Sequence, residues 1–73
     1  MKHNYFLDIE KWHGDIKADQ EVNDYQKETL HIRGYSEAIR TAKEIIREGR
    51  IGNNAHCVVI LRNSRKQGRF INA

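Results

Sequence analysis

A chain of 73 residues, 38% hydrophobic and 32% charged, has room for one domain over residues 1–73 with a single thin core, and is too apolar for a disordered tail. Its longest apolar run, Cys57 to Leu61, is far shorter than the roughly 20 residues of a membrane-crossing helix. The net charge of +3 is uneven, since residues 15–28 set five acids against Lys17 and Lys27, whereas residues 49–73 hold Arg50, Arg62, Arg65, Lys66 and Arg69 and no acid. The N-terminal MKHNYFLDIEK has charges inside its apolar stretch and no small-residue cleavage site, which argues against a signal peptide. A lone cysteine, Cys57, agrees with a reducing compartment, and the expected location is cytoplasmic.

Residues 4–12 (NYFLDIEKW) alternate, with Tyr5, Leu7 and Ile9 on one side and Phe6, Asp8, Glu10 and Trp12 on the other, the pattern of a half-buried strand. Residues 15–24 are polar and read as a loop. Alternation returns over Tyr25 to Arg33, where Leu30 and Ile32 share a side, predicting a second strand antiparallel to the first.

The strongest periodic signal is Ser36 to Gly49, SEAIRTAKEIIREG. Ala38, Ile39, Ala42, Ile45 and Ile46 form one helical stripe. Ser36 is the expected N-cap, Tyr35 the staple before it, and Gly49 the left-handed residue closing the last turn. Arg50 to Ala55 is a connector in which Ile51 is expected under the helix end. His56 to Arg62 is apolar on both faces, as a central strand is, with Cys57 as a small buried hydrophobe. Asn63 to Gly68 reads as a turn and Arg69 to Asn72 as a final short strand.

These elements predict an α+β fold: a single helix packed on one face of a three- to four-stranded, mainly antiparallel sheet, in the order β-β-α-β-β. One helix covers one face. The other then carries Phe6, Trp12, Val58 and Ile60, an apolar surface suited to a partner or a homodimer unless the acidic loop folds over it.

Catalytic chemistry is not indicated. His3, His13, His31 and His56 lack metal-site spacing, and the chain has no phosphate-binding glycine loop or nucleophile motif. Asp8 and Glu10 read as a solvated strand face rather than an acid and base pair. The expectation is a protein that is not an enzyme and uses no cofactor or metal. The clearest surface signal is Arg62, Arg65, Lys66 and Arg69 at the terminal hairpin, suited to phosphates or an acidic protein surface. On the helix, Arg40, Lys43 and Arg47 are interleaved in sequence with Glu37, Glu44 and Glu48 and read as self-paired.

Two resemblances go with these residues. Leu30 to Ile46, LHIRGYSEAIRTAKEII, resembles the strand-to-helix junction of HicB-type antitoxins. The layout of two strands, one helix and a terminal hairpin resembles short phage-encoded anti-CRISPR proteins. The second resemblance implies a non-enzymatic inhibitor that docks on a nucleic-acid-handling protein complex, or on nucleic acid itself, through the basic hairpin. The other expectation is a homodimerising antitoxin-like or structural module with no direct nucleic-acid contact.

Overall fold

The computed structural model describes residues 3–14, 23–52, 55–63 and 67–72, so the acidic segment 15–22 and the hairpin cations Arg65 and Lys66 lie outside the described residues. The elements are β1 (Asn4–His13), β2 (Asn23–Arg33), α1 (Tyr35–Gly49), β3 (Ala55–Asn63) and β4 (Arg69–Phe70). The sheet runs β2-β1-β3-β4 with every pairing antiparallel. This is the expected α+β arrangement, with the doubly apolar strand β3 in the interior of the sheet.

The period of two in β1 and β3 decides which side the helix covers. Leu7 lies opposite Leu30 and Leu61, and Ile9 opposite Val59, so one face carries a continuous apolar layer. Against it α1 presents Ala38, Ala42 and Ile46, all fully buried. The two alanines let the helix backbone approach closely, while Ile46 supplies volume. Cys57, Val59, Leu61 and Ile71 complete the core, flanked by partly buried Tyr5, Leu30, Ile32, Ile39 and Ile45. A fully buried aliphatic side chain stabilises by about 1.5–3 kcal/mol, so this short roster carries most of the fold.

Several local expectations change. The helix starts one residue earlier than Ser36: Gly34 is the N-cap at φ 96°, no side chain caps the first turn, and the Gly34 N–H donates to His3 O at 2.9 Å. A positive φ is what glycine permits there and a serine cap does not need. Tyr35 is therefore the first helical residue rather than a staple before a cap, half-exposed and T-shaped against Tyr5 with ring centroids 5.6 Å apart.

Gly49 is not among the positive-φ glycines. It stands under Cys57, where a Cβ would lie 2.6 Å from the cysteine Cβ, so its lack of a side chain serves packing rather than a turn. Ile51 is 77% exposed and does not tuck under the helix. β4 is two residues long instead of four, although the Ile71 N–H still donates to Val59 O at 3.0 Å and its side chain enters the core. Among the described residues no helix is long and apolar enough to cross a membrane.

Candidate binding surfaces

Strand alternation places Phe6, Trp12, Val58 and Ile60 together on the sheet face opposite α1, all half-buried. Phe70, opposite Ile60, extends this face and is 66% exposed. The polar groups of the face are bonded to one another. Asp8 accepts from Arg62 Nε at 2.6 Å and from Thr29 Oγ1 at 2.8 Å. Tyr25 OH donates to Glu10 at 2.7 Å, and His31 Nε2 lies 2.9 Å from Asn4 Oδ1. The rings are also engaged, since Phe6 stacks on His31 with the Arg62 guanidinium 4.8 Å from the Phe6 ring centroid, and Trp12 stacks on His56.

These bonds shift the titrating groups. The Arg62 hydrogen bond, chiefly, holds the Asp8 carboxyl below its ordinary range, and accepting the Tyr25 proton lets Glu10 hold that phenol above its own. Cys57 is buried, its thiol donates to Ile45 O at 3.7 Å, and burial raises its pKa, so it is a core side chain rather than a nucleophile. Among the described residues no three of His, Cys, Asp and Glu gather into a metal-binding group.

The hairpin register separates the two described members of the cationic cluster. Arg62 lies opposite Phe6 on the open face and is paired with Asp8. Arg69 lies opposite Leu61, hence on the helix side, with its guanidinium 5.7 Å from the Tyr35 ring centroid and bonded to the Tyr35 hydroxyl. Arg62 and Arg69 therefore do not lie on the same side of the sheet.

A different basic surface takes shape beside Arg69. An open groove on α1 is lined by Tyr35, Ser36, Ile39, Arg40, Lys43 and Arg47. Arg40, Lys43 and Arg47 follow i, i+3, i+7 spacing and form one row, while Glu37, Glu44 and Glu48 form a second row beside it. Arg40 pairs with Glu37 across the boundary. Among the described residues no carboxylate pairs with Lys43 or Arg47, and Arg47 Nε instead approaches Lys43 O at 3.4 Å.

The reading of these cations as self-paired thus holds for Arg40 alone. The signal that finds the others is angular position around the helix, which their order along the chain hides. No protein-family model, curated protein or solved structure matches this chain.

Proposed function

We propose that this is a small non-enzymatic binding protein that holds the phosphate backbone of a nucleic acid along the basic flank of α1. The observation that carries the reading is the row Arg40, Lys43 and Arg47, continued through Tyr35 to Arg69, on an exposed groove. From Tyr35 to Arg47 the helix advances about 18 Å at 1.5 Å per residue, the length of about five phosphates along one duplex strand. Lysine and arginine in such a row neutralise successive phosphates without reading bases. Arg65 and Lys66 follow in the chain between Arg62 and Arg69 and add charge to the same end of the sequence. The resemblance to anti-CRISPR proteins adds the expectation that the nucleic acid belongs to a complex that handles it.

The test is binding of fluorescent single- and double-stranded oligonucleotides to the wild-type chain, to Lys43→Glu/Arg47→Glu and to Arg65→Glu/Lys66→Glu. The expected result is a loss of at least about tenfold, or about 1.4 kcal/mol, in the helix variant with its circular dichroism unchanged. Equal affinity of the wild type and the helix variant overturns the reading.

A further inference from the structure

The strand order leaves β2 at one edge of the sheet and β4 at the other, and the two edges differ greatly: 11 residues against two. Among the described residues no strand pairs with the outer side of β2. The Gly34 N–H to His3 O bond fixes which backbone groups point where. His3 and Gly34 extend the β1–β2 register in which Asn4 faces Arg33. In an antiparallel ladder the hydrogen-bonded pairs alternate, so even-numbered residues from Gln26 to Gly34 turn their N–H and C=O toward β1. Lys27, Thr29, His31 and Arg33 therefore direct theirs outward. An edge of this length, in a chain without proline, is a template for another strand.

We propose that β2 pairs antiparallel with β2 of a second copy of this chain, about a two-fold axis at Thr29. Charge and ladder length together select that register, since an axis at His31 overlaps only residues 29–33 of the strand, against 25–33 for an axis at Thr29. An axis at Glu28 sets Glu28 against its own copy, an axis at Lys27 sets Lys27 against itself, and an axis at Leu30 sets Lys27 against Arg33 twice; like charges directly opposite destabilise a ladder. With the axis at Thr29, Lys27 faces His31, Glu28 faces Leu30 and Tyr25 faces Arg33, so no like-charged Lys, Arg, Asp or Glu pair stands opposite. Shifts of the axis by half a residue put apolar and polar faces together and are excluded by the pleat.

The outward groups of Lys27, Thr29 and His31 then exchange six backbone hydrogen bonds. The result is an eight-stranded sheet with both helices on one side, and therefore both basic grooves facing the same way. The short β4 edges lie at its two ends, so assembly stops at two copies. This inference concerns the free protein and stands apart from nucleic-acid binding: a monomer leaves the groove reading intact, and a failure to bind oligonucleotide leaves the dimer intact.

Sedimentation equilibrium without nucleic acid, together with cysteine cross-linking, tests it. The expected result is a dimer that Thr29→Cys locks as a disulfide on mild oxidation, while Tyr25→Cys alone gives none and a mixture of Tyr25→Cys with Arg33→Cys does. Thr29→Pro removes an outward N–H and none directed at β1, and is expected to give a folded monomer. Tyr25→Lys, placed opposite Arg33 on an exposed site, is expected to weaken the dimer should the proline variant fail to fold. A wild-type chain that is monomeric at millimolar concentration, or equal cross-linking of Thr29→Cys and Tyr25→Cys, overturns the proposal.

Discussion

The two faces of the sheet are built from the same strands in the same alternation, and they end in opposite states. On the helix side Leu7, Ile9 and Val59 are sealed beneath Ala38, Ala42 and Ile46. On the other side Phe6, Trp12, Val58 and Ile60 are half-buried, and Asp8, Glu10, Thr29, Tyr25 and Arg62 bond to one another. The covered face derives its stability from area removed from water and from fit. The open face keeps its polar groups satisfied at the surface. Among the described residues, the polar groups of the second face pair with one another without a covering helix.

The sharpest way to break that comparison is to truncate matching residues on each side. Ile46→Ala is expected to cost about 2–5 kcal/mol in urea unfolding, as buried large-to-small changes do. Ile60→Ala on the open face is expected to cost markedly less, and equal losses would show that the faces are energetically alike. Next comes Gly49→Ala. Alanine is the better helix former by about 0.8–1 kcal/mol, yet its Cβ collides with Cys57, and overpacking of about 1–3 kcal/mol decides the sign toward destabilisation. An increase in melting temperature for Gly49→Ala would contradict the tight helix-to-sheet approach.

A smaller effect belongs to the open face. Asp8→Asn weakens the Arg62 bond and is expected to cost about 1 kcal/mol near neutral pH. Because the folded pKa of Asp8 is depressed, the stability from this pair is present above the unfolded value of about 3.9 and is lost as pH falls through the lower folded value. Acid unfolding profiles of the wild type and Asp8→Asn are expected to converge there, and profiles that stay parallel would remove Arg62–Asp8 from the account. Smallest of all, Lys43→Glu/Arg47→Glu is expected to leave stability within about 0.5 kcal/mol, since both side chains are exposed.

How much of this was legible in the sequence depends on the range of the interaction. Alternation in residues 4–12 and 56–62 places Leu7, Ile9, Val59 and Leu61 inside, because a period of two is a local property. The helical stripe is local in the same way. Ser36 reads as the N-cap from sequence because a serine two residues after a glycine is ambiguous until the backbone angle at Gly34 is known. Gly49 has a long-range reason, Cys57, which no local rule contains. The separation of Arg62 from Arg69 follows from the pairing of Leu61 with Arg69, a register fixed by the geometry of the connection rather than by the two arginines. The basic groove was within reach: placing Arg40, Lys43 and Arg47 by angle rather than by order separates them from the glutamates.

The most direct test of the central claim, that the basic flank of α1 holds phosphates, is the salt dependence of oligonucleotide affinity. Three to four phosphate contacts predict a slope of log K against log salt of about −2 to −4, reduced by about 1–2 in Lys43→Glu/Arg47→Glu. A slope near zero, or the same slope in the wild type and the variant, would contradict it.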